Sequence, residues 1–288
     1  MSPTLPTPLI SATELRQRLQ AADAGIVVLD CSFELGDTAQ GEVEHAAGHL
    51  PGALYAHLDR DLSGPKTARG AIDGGRHPLP TREALAATLA RWGIGPATPV
   101  VAYDTKGGPY AARAWWLLRW MGHADVAVLD GGLAAWVAAG GAVETGVRPA
   151  PAPAAAYPLR PAAMPTVDAA QILAAPGQRR VVDARAPERF RGEVEPLDAQ
   201  AGHIPGASNR FFKDNLAADG RFRPAAELRA GFEALGAAPE AVVHQCGSGV
   251  TACHNLLAME AAGLAGSALY PGSWSEWSAD PARPVARG

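Results

Sequence analysis

The sequence predicts an α/β protein of two tandem domains, each a mostly parallel sheet with helices on both faces. Three observations carry this expectation. The same blocks recur in the same order in the two halves of the chain. The strand-like runs are short and apolar, without the polar alternation of a half-exposed strand. Helical stretches separate them, as crossover connections between parallel strands require.

The repeat runs as follows. Ile26-Val27-Val28-Leu29-Asp30 corresponds to Arg180-Val181-Val182-Asp183, each an apolar run ending in Asp. Gly48-His49-Leu50-Pro51-Gly52-Ala53 corresponds to Gly202-His203-Ile204-Pro205-Gly206-Ala207. Helical stretches are expected at 83–92 and 225–235. The next strands, Pro99-Val100-Val101-Ala102-Tyr103-Asp104 and Ala241-Val242-Val243-His244-Gln245-Cys246, lead through glycine-containing turns into apolar helices at 110–121 and 251–262. Each copy closes on a strand and a tryptophan turn. These are Ala127-Val128-Leu129-Asp130-Gly131-Gly132-Leu133-Ala134-Ala135-Trp136 and Ser267-Ala268-Leu269-Tyr270-Pro271-Gly272-Ser273-Trp274-Ser275-Glu276-Trp277. One match could be chance; several in one order indicate duplication. Proline at positions 149, 151 and 153 removes backbone donors and fixes φ, so 146–165 is expected to be an extended linker. The expected domains are 24–145 and 166–286.

Composition narrows the function. With 288 residues, 48% of them hydrophobic, the chain can bury two ordinary cores. A net charge of -4 and a pI near 6.1 give no electrostatic footprint for nucleic acid or an anionic membrane. Only three lysines occur, Lys66, Lys106 and Lys213, so an anion site is expected to use arginine forks and backbone N–H groups. Cys31, Cys246 and Cys253 form neither a disulfide framework nor a CxxC zinc pattern, and no metal or cofactor is expected. The opening residues lack the basic and apolar regions of a signal peptide, and no long uncharged apolar run is seen. A cytoplasmic protein is expected.

The candidate site is the turn Cys246-Gly247-Ser248-Gly249-Val250-Thr251-Ala252, after the strand that ends at Gln245. Ligands of open parallel sheets bind outside the carboxyl ends of strands. Glycines let successive N–H groups point inward, and the following helix adds its positive end. Such a nest favours the thiolate of a cysteine, the nucleophilic form. Cys31 has no glycine cradle and Cys253 falls inside the helix, so both are expected in the core. The turn also satisfies GxGxxA, but the acidic residue of a dinucleotide site is missing from the next strand. A Cys-x5-Arg phosphate cradle would need arginine where Ala252 stands.

The paired GHxPGA segments, the GGLAAW and GSWSEW turns and the CGSGVTA loop resemble the tandem-domain rhodanese family, most closely its 3-mercaptopyruvate sulfurtransferase branch. The resemblance implies two rhodanese-like domains and a sulfurtransferase. Cys246 would accept sulfane sulfur as a persulfide and pass it to cyanide or to a thiol, either a small one or a thioredoxin-like protein. Asp104 stands at the cysteine position of the first copy, which would be catalytically silent. Arg189 matches the arginine that binds the substrate carboxylate, with Gly247, Gly249, Val250 and Thr251 forming the cradle. Arg185 reads as a partner of Asp183, and Trp274 and Trp277 as pocket wall or core. His49 and His203 recur in both copies and read as structural.

The branch implies a Ser-His-Asp relay drawn from both domains, matched here by Ser248, His77 and Asp59. Asp59 would fix the imidazole tautomer, His77 would move the proton and Ser248 would relay it. One departure stands out. The second substrate arginine is replaced by Leu197 in Glu195-Pro196-Leu197-Asp198, leaving Arg191 and Arg210 as candidate substitutes. Thiosulfate is the alternative donor. A persulfide-carrying module without turnover is the non-enzymatic alternative.

Overall fold

The computed structural model describes residues 4–20, 25–148, 151–153 and 155–288. Residues 1–3, residue 24 at the expected start of the first domain, and linker residues 149, 150 and 154 lie outside these. The chain divides into two compact units.

The first unit comprises Met1–Leu62, Pro80–Ala163 and Ala218–Arg221. Its elements in order are β1 (Leu9–Ile10), α1 (Ala12–Gln20), β2 (Val27–Asp30), α2 (Gln40–Ala47), β3 (Leu54–Tyr55), α3 (Arg82–Arg91), β4 (Val100–Tyr103), α4 (Pro109–Trp120), β5 (Val126–Leu129) and α5 (Gly132–Ala138). The strands form one sheet in the order β1-β5-β4-β2-β3, and every pair is parallel. Strands β4 and β5 are buried at every position, which explains their unbroken apolar runs. Right-handed crossovers place α1 and α2 on one face and α3 and α4 on the other. Helix α3 begins where the Thr81 side chain accepts the Ala84 N–H at 3.1 Å.

The second unit comprises Ser63–Leu79, Met164–Ala217 and Phe222–Gly288. It contains α6 (Ala169–Ala174), β6 (Arg180–Asp183), α7 (Pro187–Phe190), β7 (Ser208–Asn209), α8 (Ala225–Glu233), β8 (Val242–Gln245), α9 (Thr251–Ala261), β9 (Ala268–Leu269) and α10 (Ser273–Ala279). The sheet order β7-β6-β8-β9 repeats β3-β2-β4-β5, again all parallel. A lone parallel bridge, Thr166 to Leu269, stands where β1 stands in the first sheet. Helix α6 opens on a capping box: Asp168 accepts from Gln171 N at 2.7 Å and Gln171 accepts from Asp168 N at 2.9 Å. Val181, Val243, Tyr270, Trp274 and Trp277 share one core.

Two features differ from the sequence expectation. The residues before 24 include β1 and α1, which complete the first sheet and bury Leu15 in its core. A two-residue strand carries too little pattern to be read in sequence. The segment Ser63–Leu79, expected in the first domain, packs within the second unit, and Ala218–Arg221 within the first. The described residues of 146–165 contain no helix or strand, although Tyr157 is buried and its hydroxyl lies 2.9 Å from His123 Nδ1. No helix among the described residues is long and apolar enough to cross a membrane.

Leu15→Ala should destabilise the first unit by about 2–5 kcal/mol in chemical denaturation, the usual cost of emptying a fully buried leucine site. A change near zero would mean that α1 is not part of its core.

Candidate functional site

In the second sheet the chain leaves β6 toward β7 on one side and β8 on the other. The carboxyl ends of β6 and β8 therefore flank the switch point, where open α/β sheets bind ligands. Asp183 and Gln245 are register partners there, and Ala184 N donates to Gln245 O at 2.9 Å. The loop after β8 begins with Cys246; the loop after β6 carries Arg185 and leads into α7, which carries Arg189.

The Cys246 loop is pinned from below by the first turn of α10. Trp274 N donates to Cys246 O at 2.9 Å and Ser275 N to Gly247 O at 2.8 Å. In a trans peptide the N–H points opposite the C=O. The N–H groups of Gly247 and Ser248 are thus turned away from α10, which makes the loop a cradle for an anion. Cys246 N donates to Ser273 Oγ at 3.1 Å, and Ser273 Oγ donates to Tyr270 O at 2.9 Å. Ser273 is the one described non-glycine residue with positive φ, 54°. That conformation costs about 1–2 kcal/mol, offset by these two bonds and the fixed start of α10. Gly249 has φ +76°, and a Cβ there would stand 2.5 Å from Pro271 O. Cys246 itself is 2% exposed. Val250 caps α9 and Thr251 opens it.

Ser63–Leu79 brings two further groups to the loop. Arg76 N donates to Ser275 Oγ at 2.9 Å, and Gly75, at φ +79°, packs so closely on Gly272 O that a Cβ would collide with it. Next in the chain, His77 Nδ1 lies 2.7 Å from Ser248 Oγ, both side chains buried. His77 accepts the hydroxyl proton there when Nδ1 is unprotonated. Asp59 belongs to the first unit, in the turn after β3, where its N–H donates to His57 Nδ1 at 3.1 Å.

A buried chain of alternating charges runs out from β6. Arg185 pairs with Asp183 (Nη2 to Oδ2, 2.7 Å) and with Glu195 (3.1 Å), and its guanidinium lies 4.7 Å over the Trp274 ring. Glu195 accepts from Arg189 at 2.7 Å. Asp198 receives Arg189 Nη2 at 3.1 Å on one oxygen and Arg76 Nη1 at 2.6 Å on the other. Burial raises the Asp198 carboxyl, against the pull of Arg76. Arg189 and Arg76 both reach the Cys246 loop. From the Cβ position of Gly247, Arg76 Nη2 is 3.1 Å away and Arg189 Nη1 3.6 Å. The sequence reading named Arg189 and not Arg76, because only the folding of Ser63–Leu79 into this unit brings Arg76 to the loop. The loop is uncharged in sequence, yet two guanidinium groups face it.

The first copy fills the equivalent turn with its own side chain. Asp104 follows β4, and its carboxylate accepts backbone N–H groups from Lys106, Gly108, Tyr110 and Ala111 at 2.8–2.9 Å. Burial raises its carboxyl while these donors lower it. Cys31 and Cys253 are buried. Trp274 and Trp277 are core residues whose Nε1 groups donate to Gln200 O and Pro284 O. His49 and His203 each bond a preceding backbone carbonyl at 2.8 Å through Nδ1.

The sequence matches the family described as Rhodanese-like domain twice, over residues 11–139 and 166–280. This chain belongs to the rhodanese-like family. It is 49% identical, over 97% of its length and 98% of the relative's, to a Pseudomonas aeruginosa protein named "Probable 3-mercaptopyruvate sulfurtransferase". It is 44% identical, over 97% of each chain, to a Mycobacterium tuberculosis protein named "Putative thiosulfate sulfurtransferase SseB". The solved structure of 3-mercaptopyruvate sulfurtransferase from Leishmania major matches at a TM-score of 0.85 and 32% identity, covering 96% of this chain and 76% of that one. The two units described above are thus a pair of rhodanese-like domains, and the Cys246 loop is the turn after β8 of the second.

Gly249→Ala should lower stability by about 1–2 kcal/mol from the positive φ alone, and more from the Pro271 contact. Gly36→Ala, in open space without positive φ, should stay within about 0.5 kcal/mol. Thermal unfolding of the two variants checks the contrast.

Proposed function

We propose that this chain is a sulfurtransferase that takes sulfur from 3-mercaptopyruvate as a persulfide on Cys246 and passes it to a thiol or to cyanide. The observation that supports the reading most is that Cys246 opens a loop whose next residue, Gly247, is faced by the Arg189 guanidinium and whose following residue, Ser248, is hydrogen-bonded to His77.

The chemistry balances as follows. The Cys246 thiolate attacks the sulfur of the donor, the C–S bond breaks, and its electron pair goes to carbon as the pyruvate enolate. The proton that the donor's thiol carried ends on that carbon, leaving pyruvate and Cys246–S–S⁻. An acceptor thiolate, small or on a thioredoxin-like protein, then attacks the outer sulfur and releases the Cys246 thiolate; cyanide would leave as thiocyanate. Gly247 and Ser248 N–H groups stabilise the persulfide anion. Ser248, bonded to His77, delivers the proton to the enolate carbon. Arg189 binds the carboxylate, with Gly247, Gly249, Val250 and Thr251 shaping the cradle. The first copy is silent because Asp104 occupies its own nest.

A second reading, thiosulfate as donor, is favoured by the name of the M. tuberculosis relative and by the two guanidinium groups at the loop. Thiosulfate expels sulfite, which needs no proton on carbon. Steady-state turnover with each donor separates the readings. Mercaptopyruvate should be the better donor, and His77→Ala should depress its turnover far more than that of thiosulfate. Equal losses would reduce His77 to a structural part.

Two variants test the assigned roles. Donor treatment should add one sulfur atom to the intact mass of the wild type and none to Cys246→Ser, which should also be inactive. A persulfide on Cys31 or Cys253 would overturn the assignment. Arg189→Ala should raise KM for mercaptopyruvate strongly with a smaller fall in kcat, since a ground-state charge contact is lost.

A further inference from the structure

The replacement of the expected second arginine by Leu197 leaves one carboxylate contact unaccounted for. Neither candidate substitute faces the loop. Arg191 is exposed and bound to Glu193, and Arg210 lies 4.1 Å over the Phe232 ring with Nη2 on Asn215. Leu197 is itself half exposed.

Arg76 is placed otherwise. Its Nη1 is engaged by Asp198, while Nη2, the nitrogen nearest Gly247, makes no hydrogen bond among the described residues. Arg189 Nη2 is held by Glu195 and Asp198, and both its Nη1 and Nη2 stand 3.6–3.7 Å from the Gly247 Cβ position, Nη1 with no hydrogen bond among the described residues. The Nε atoms of both arginines are buried without a partner. One carboxylate, Asp198, braces the two guanidinium groups side by side, one on each oxygen. Glycine at 247 leaves open the space they face.

We propose that Arg76 supplies the missing contact, so that Arg76 and Arg189 together hold the carboxylate of a 2-oxo-acid donor beside Cys246. This rests on the mercaptopyruvate reading above. The charge around the site agrees with a monoanion. Asp183, Arg185, Glu195, Arg189, Asp198 and Arg76 are three acids and three bases, neutral together. A carboxylate adds one negative charge to this largely buried group, and thiosulfate would add two. Arg76 also precedes His77, so one short segment sets both the carboxylate contact and the proton-bearing imidazole.

The test uses the full chain with Arg76→Gln, which keeps a donor for Asp198, and Arg76→Lys, which keeps the charge but not the fork. Arg76→Gln should raise KM for mercaptopyruvate by about ten- to a hundredfold, the loss of one charge-assisted hydrogen bond, with kcat nearly unchanged. Arg76→Lys should fall between it and the wild type. Pyruvate should protect Cys246 of the wild type from iodoacetamide, and Arg76→Gln should need a correspondingly higher concentration. An unchanged KM with unchanged protection overturns the proposal. So does a fall in kcat at constant KM, which would make Arg76 a structural brace, or a loss confined to thiosulfate. If the wild type turns over no mercaptopyruvate, the function proposed above fails. The pyruvate arm then decides on Arg76 alone: weakened protection supports it, and equal or absent protection overturns it.

Discussion

The candidate site depends on the first turn of α10. The Trp274 and Ser275 amides hold the carbonyls of Cys246 and Gly247, and Ser273 Oγ receives the Cys246 amide. The Ser275 hydroxyl receives the Arg76 amide. Three consecutive residues thus fix the cysteine loop and the segment that carries Arg76 and His77. Each bond is ordinary, about 1 kcal/mol net. Their effect is positional: peptide planarity converts two pinned carbonyls into two N–H groups facing the other way. The strain at Ser273 belongs to the same device, since a serine held at φ 54° is what lets its side chain meet the amide of Cys246.

The alternating ion chain is the second fixed element. A buried ion pair is weak evidence for stability, because desolvation offsets much of the attraction. Its use here is orientation. Arg185 is clamped by Asp183, the Gly202 carbonyl and the Trp274 ring, so Glu195 and Asp198 beyond it have little freedom. Arg189 and Arg76 are then presented with one nitrogen bound and another without a bond among the described residues. A guanidinium can divide its donors in this way and an ammonium cannot do so with fixed geometry. That is a physical reason for arginine at both positions in a chain with three lysines.

Much of the fold was legible because both sheets are parallel and buried on both faces, so each strand reads as an unbroken apolar run and the duplication repeats it. Helix limits fell within a residue or two of the pattern, as at Thr251–Ala261 and Pro109–Trp120. Strand β1 was not legible, since two residues have no period, and α1 was passed over with it. In the site, the glycine turn after β8 marked Cys246 through local sequence alone, while the part given to Ser248 came from the family resemblance. Arg189 and His77 were legible only through the family resemblance. Arg76 was written beside His77 yet carried no signal, because its relevance arises from Ser63–Leu79 packing against Gly272 and Ser275, far away in sequence. The same holds for Ser273, whose left-handed backbone no residue type announces.

The two copies show what such a loop demands. A turn that aims several N–H groups at one point, next to a helix start, is favourable only with negative charge there. In the first copy Asp104 supplies that charge from within the turn, and four N–H groups close on its carboxylate. Nothing else can enter while it is there. In the second copy the residue at that position is Cys246, whose side chain extends one atom beyond Cβ, shorter than the carboxylate of Asp104. On the proposed reading, the extra sulfur of the persulfide takes the place that the Asp104 carboxylate takes in the first domain. The first copy is then a permanently liganded version of the second. The exchange of a reversible anion for a fixed one accounts for its expected silence without any change in the surrounding sheet.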